Sequence, residues 1–167
     1  EEYSAYDPNK FDSFIVKPEK LDDQILFSLV DLFNNNVSSI DNDSTKIADL
    51  GGPNTQDKIL SALAVGYITL DGIIVAGCVL QDPTILDYHG SIPSDHYEML
   101  TGISLENRIE QEYFVIHPDY HDVGLATELR RLIKTVVENT FIVILDGDVD
   151  AMTGLQNAGY QLVSTFM

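Results

Sequence analysis

A chain of 167 residues, 44% of them hydrophobic, can bury one core but not two of ordinary size, so the expectation is a single domain over 1–167 with 1–12 as a loose leader. The 27 Asp and Glu against 9 Lys and Arg give a formal net charge of −18, which argues against direct nucleic-acid binding because phosphates would be repelled. No apolar run is long enough for a membrane helix, no basic and apolar leader is visible, and the lone Cys78 cannot form an internal disulfide, so a cytoplasmic protein without membrane contact is expected. Three origins of the charge stay open: a salt-adapted or highly soluble surface, a cationic amine substrate, or imitation of nucleic acid.

In chain order, Ser13 to Lys17 reads as a strand stopped by Pro18. Apolar residues at Leu21, Ile25, Leu26, Leu29, Val30 and Phe33 then mark one face of a helix, which Asn34 to Asn36 end. Val37 to Asp57 is rich in Ser, Asn, Asp and Gly; it predicts a connector with one helical turn near Thr45 to Leu50, ended by Gly51 and Gly52. Ala62 to Leu70 and Ile73 to Leu80 are β-rich runs joined by Asp71 and Gly72, a pair that suits a two-residue hairpin turn. Cys78 lies in the second run and reads as a small buried hydrophobe.

Gln81 to Asn107 is too long for a simple turn. It is either a surface excursion with a short helix or a loop that covers a substrate. Its His89 and His96 stand seven positions apart across Pro93, which is not a metal-ligand spacing, and no metal site is expected. Beyond it the sequence predicts a strand over Arg108 to Ile116, a helix to about Asn139, and a central strand buried on both faces at Phe141 to Leu145. A helix over Asp150 to Ala158, capped by Gly159, and a last strand over Tyr160 to Phe166 complete the chain.

The stretch from Gln111 to Lys134, QEYFVIHPDYHDVGLATELRRLIK, runs from strand through tight loop to amphipathic helix. Gly124 stands where the loop becomes helix. A helix start aims unpaired N–H groups and the positive end of its dipole at the loop, which favours an anion such as phosphate. Glu110 and Glu112 share one face of the strand by its period of two.

The element order, together with VIHPDYHDVGLATEL and LQNAGYQLV, resembles the GNAT superfamily of acetyl-coenzyme A-dependent N-acyltransferases over nearly the whole chain. The resemblance implies an α/β fold with a central mixed sheet flanked by helices. It also implies that His121, Asp122, Val123, Gly124, Leu125 and Ala126 form the loop that holds the coenzyme A pyrophosphate. Gly124 and Ala126 match the family's small residues, whereas His121 departs from its Arg or Gln and Asp122 adds a carboxylate. Phe114, Val115 and Ile116 would run beside the pantetheine arm, and Arg130, Arg131 and Lys134 are candidates to attract the outer phosphate.

By the same resemblance, Glu110 or Glu112 would act, often through water, as the base that deprotonates the acceptor amine, provided burial raises its pKa. Leu155 stands where the family often has a tyrosine that protonates the leaving thiolate, Tyr160 matches an aromatic that usually packs, and Asp148 stands where asparagine is frequent. The implied activity is N-acetylation of a primary amine of a cationic small molecule or peptide, with acetyl-coenzyme A as donor. The alternative is a non-catalytic binding or regulatory protein of the same fold. A homodimer is compatible with the family.

Overall fold

Asp71 and Gly72 take positive φ values of 53° and 81°, the backbone that a tight hairpin needs, and they join β2 (Ala64–Leu70) to β3 (Ile73–Gln81). The predicted hairpin is therefore present, with Gly66 opposite Cys78 and Val65 opposite Val79. The structure, a computed structural model, describes residues 7, 9–35, 55–85, 88–89, 92–120, 123–137, 139–142 and 149–162.

β1 (Phe11–Val16) pairs antiparallel with β2, and β6 (Ile109–Ile116) pairs antiparallel with β3. β7 (Thr140–Phe141) pairs parallel with β6, so the five-stranded sheet has the order β1-β2-β3-β6-β7. Two short strands, β4 (Tyr88–His89) and β5 (Ile92–Pro93), form a separate ribbon next to α3 (Ser94–Thr101). This mixed sheet with helices on its faces is the predicted fold class.

On one face α1 (Asp23–Asn35) lays Leu26, Leu29, Leu32 and Phe33 against Val65, Tyr67, Val79, Tyr113 and Val115. The opposite face is covered by α4 (Leu125–Val136), whose Leu125, Leu129 and Ile133 pack on Ile68, Val75, Ala76, Cys78 and Leu80. Those three helix residues are fully buried, each contributing about 1.5–3 kcal/mol through burial. Cys78 is buried as expected. Crossing from β6 to β7 through α4 makes that last pairing parallel.

Several boundaries differ from expectation. Phe11 and Asp12 belong to β1, with Phe11 buried opposite Leu70, so the leader ends earlier than position 12. A helix the sequence reading missed, α2 (Thr55–Leu60), starts inside the expected connector because Ile59 finds an apolar seat against α1; the turn expected at Thr45 to Leu50 lies outside the described residues. Gln81 completes β3 rather than opening the excursion. Phe141 is only half-buried in the last described strand of the sheet, while 143–145 lie outside the described residues. α5 (Val149–Asn157) matches its prediction and Gly159 follows it at φ 94°. Tyr160 to Leu162 carry no strand, and 163–166 lie outside the described residues. No described helix is long and apolar enough to cross a membrane.

Candidate functional site

β6 and β7 stay together for only two pairs, Ile109 with Thr140 and Glu110 with Phe141. From Gln111 to Ile116 the outer edge of β6 has no strand beside it among the described residues, while its inner edge is held by β3. A fork of this kind is a place where an extended ligand can lie along a strand. Within it the register jumps from Gly77 opposite Val115 to Val79 opposite Glu112, so Tyr113 and Phe114 together face one residue of β3. Tyr113 has φ 55°, which a bulky side chain rarely adopts outside a β-bulge.

The bulge sorts the side chains. Tyr113 and Val115 join the core under α1, whereas Phe114 and Ile116 join the one under α4. Glu112 lies opposite Val79 and Glu110 opposite Gln81, so both carboxylates are on the α1 face, in agreement with the strand period. Both are buried, at 0% and 4% exposure for Glu110 and Glu112. α3 brings Tyr97 to Glu110: burial first and the Glu110 charge second push the Tyr97 phenol up to about 12, against the pull of Arg108.

On the α4 face, Gln111 donates through Nε2 to Thr140 Oγ1 at 3.1 Å and to the hydroxyl of Tyr160. Tyr160 in turn donates to the carbonyl of Arg130 at 3.0 Å. Burial raises the Tyr160 phenol, although the bond from Gln111 and the Arg130 charge oppose it. The Arg130 guanidinium lies 4.3 Å from the centre of the Phe114 ring, a cation–π contact. Leu155 is buried and has no proton to offer.

The basic residues expected to attract an outer phosphate have other partners. Arg131 pairs with Glu128 and donates to the carbonyl of Asn157, and Lys134 donates to the carbonyl of Gly159. Both cations thus sit at the C-terminal end of α5, where carbonyls lack helical partners.

The loop candidates divide in a similar way. His117 to Tyr120 lead into it, with the Tyr120 ring edge-on to Phe11 at 6.4 Å and to His117 at 5.7 Å. His121 and Asp122 lie outside the described residues. Val123 packs on the α4 core, Gly124 has φ 86° and ψ 15°, and α4 begins at Leu125. Leu125 and Val115 are buried in the core, so only their backbones can meet a ligand there, whereas Ala126 is half-buried. The sequence reading missed Tyr97, Gln111 and Thr140, since each meets its partner through the fold rather than through any local motif.

No family model and no curated protein matches the chain by sequence. Solved structures do match in shape. The aminoglycoside N-acetyltransferase AAC(6')-Iy, in complex with the bisubstrate analogue CoA-S-monomethyl-acetylneamine, aligns with a TM-score of 0.61 at 13% identity, over 94% of this chain and 95% of that one. The aminoglycoside acetyltransferase meta-AAC0020 from an uncultured soil metagenomic sample, in complex with trehalose, gives 0.57 at 14% identity, covering 95% and 96%. The putative acetyltransferase yncA from Salmonella typhimurium, with its cofactor acetyl-CoA, gives 0.53 at 15% identity, covering 89% and 79%. The chain has the fold of the GNAT acetyltransferases, as its strand, loop and helix over Gln111 to Lys134 implied.

Proposed function

We propose that this protein is an acetyl-coenzyme A-dependent N-acetyltransferase that acts on a primary amine of a cationic small molecule or peptide. The observation that carries the reading is the β6 fork: β6 parts from β7 after Glu110, runs on to a helix N-terminus and carries two buried carboxylates. The residues present fit the donor. Gly124, at φ 86°, and Ala126 leave the backbone room to approach a pyrophosphate at the positive end of α4, and the length of β6 beyond its pairing with β7 suits an extended arm. When bound, acetyl-coenzyme A supplies an activated acyl carbon with a thiol leaving group.

The chain's own residues supply the rest. Glu110 or Glu112 accepts, directly or through water, the proton that an acceptor ammonium must lose before its nitrogen can attack. Backbone N–H groups of the β6 edge polarise the acyl carbonyl. Leu155 has no proton to give to a leaving thiol, and the Tyr160 hydroxyl is held on the Arg130 carbonyl; the second proton, which the nitrogen would shed on forming the amide, would then reach the sulfur through water. The net charge of −18 concentrates cations around the molecule, and the aminoglycoside acetyltransferases of like fold support a polyamine-like acceptor.

A second reading, a non-catalytic binding or regulatory protein of this fold with a degenerate cofactor loop, is favoured by Leu155 and by the engagement of Arg131 and Lys134 with α5. Thermal melting with millimolar acetyl-coenzyme A, followed by a transfer assay with spermidine, an aminoglycoside and a lysine peptide, separates the two. A raised Tm with acetylated product supports the enzyme, and a raised Tm without product supports the binding protein. No shift in Tm sinks the enzyme and leaves the second reading.

A further inference from the structure

We propose that Tyr97 is a positioning residue of this site: α3 carries its hydroxyl onto Glu110 and closes the acceptor side of the fork. The inference rests on the acetyltransferase reading and deepens it. Glu110 is the last residue of β6 to face β7, and its partner there is Phe141. The Tyr97 ring packs on the Phe141 ring with centroids 6.0 Å apart, so the phenol lies over the strand pair that ends at the fork. Tyr97 is 2% exposed and Glu110 0%, and the Glu110 charge adds to burial in holding the Tyr97 phenol protonated.

The surrounding segment is built to deliver this one side chain. Tyr97 is the buried residue of α3, while Met99 and Leu100 point outward. It forms a small core with Ile92 and Leu105, against which Ile103 and Phe141 pack, apart from the two main cores. Gly102 ends the helix at φ 74° and Leu105 N–H donates to Glu98 Oε2 at 2.8 Å, which folds the segment back on itself. Residues 92–105 thus form a wall of the site.

The chemistry follows from burial. A carboxylate removed from water is stabilised in its ionised form by a donor that cannot itself become positive, and a phenol O–H is such a donor. Arg108, just before β6, pulls the Tyr97 phenol the other way, and Glu112, two positions along β6, and the neutral Gln81, opposite Glu110 on β3, lie on the same strand face as Glu110. Glu112, as a like charge, makes an oriented donor on Glu110 more necessary. Tyr97 keeps Glu110 ionised and aimed while the acceptor ammonium arrives.

Tyr97→Phe tests this, because it keeps the ring on Phe141 and removes only the hydroxyl. The Glu110 carboxyl, followed by carbon NMR in the protein without donor, should titrate about one unit higher in the variant. The acid limb of the kcat/KM profile should rise with it, at unchanged KM for acetyl-coenzyme A. An unchanged Glu110 titration overturns the proposal. Absence of acetyl transfer in the parent protein sinks the activity reading instead, and the NMR titration still decides the role of Tyr97. Should Tyr97→Phe fail to fold, Glu110→Gln gives the reciprocal readout: tyrosinate absorbance of Tyr97 should appear at lower pH, and an unchanged onset overturns the contact.

Discussion

The side-chain amide of Gln111 on β6 donates to the hydroxyl of Thr140 on β7 at 3.1 Å, across the point where the two strands part. Its second N–H goes to Tyr160, whose own proton goes to the Arg130 carbonyl. Both amide hydrogens are thereby used, and Gln111 Oε1 is buried with no hydrogen-bond partner among the described residues. Tyr160→Phe leaves a buried donor and a carbonyl unmet, so it should cost about 1–3 kcal/mol in chemical denaturation. Gln111→Leu removes the unmet oxygen along with the two donated bonds and should cost less. An equal or larger loss would show that Oε1 is satisfied in solution.

Gly77 lets α1 lie close to the sheet. A Cβ there would stand 2.9 Å from Leu29 Cδ2 and 3.4 Å from Phe33 Cζ, and both side chains are fully buried. Gly77→Ala should therefore destabilise by about 1–3 kcal/mol through overpacking. Combining it with Leu29→Ala should cost less than the sum of the two single changes, as measured by denaturation.

Gly124 combines a left-handed backbone with the start of α4. Gly124→Val should lose about 1–2 kcal/mol from that conformation and abolish the rise in Tm with acetyl-coenzyme A. Gly102 is the control, with φ 74° and nothing within 4 Å of its Cβ position. Gly102→Ala should lower Tm through the same strain yet keep the acetyl-coenzyme A shift. Loss of the shift in both variants would detach it from the loop.

Alkaline pH should unfold the protein. Burial pushes Cys78 from 9.0 up to about 12 and Tyr97 from 10.0 up to about 12, and raises Tyr160 as well. In each case the unfolded chain releases its proton first, so the stability is complete below the unfolded value and is lost as pH rises through the folded one. Denaturation midpoints should start to fall near pH 9, where unfolded Cys78 ionises. In Cys78→Ala the fall should begin instead near pH 10, the ordinary tyrosine value; an identical onset would count against the buried thiol.

Much of the fold was legible because it depends on neighbours in sequence. Asp71 and Gly72 turn the hairpin by their own backbone preference, and Gly124 and Gly159 mark helix ends for the same reason. The stripe of Leu125, Leu129 and Ile133 follows from helical period alone. By contrast, α2 was hidden because Thr55 to Leu60 shows little periodicity of its own, and Ile59 is buried only where α1 meets it.

The candidate site shows the same division. The chain's sequence determined the strand, loop and helix, the acidic surface, and two carboxylates on one strand face, since these depend on local spacing and composition. Tertiary structure decided that Tyr97 packs on Phe141, the β7 partner of Glu110, that Gln111 reaches Tyr160 across 49 positions, and that Arg131 and Lys134 serve the end of α5. Those contacts depend on strand register, and the extra residue at Tyr113, which sets that register within β6, leaves no local pattern to read.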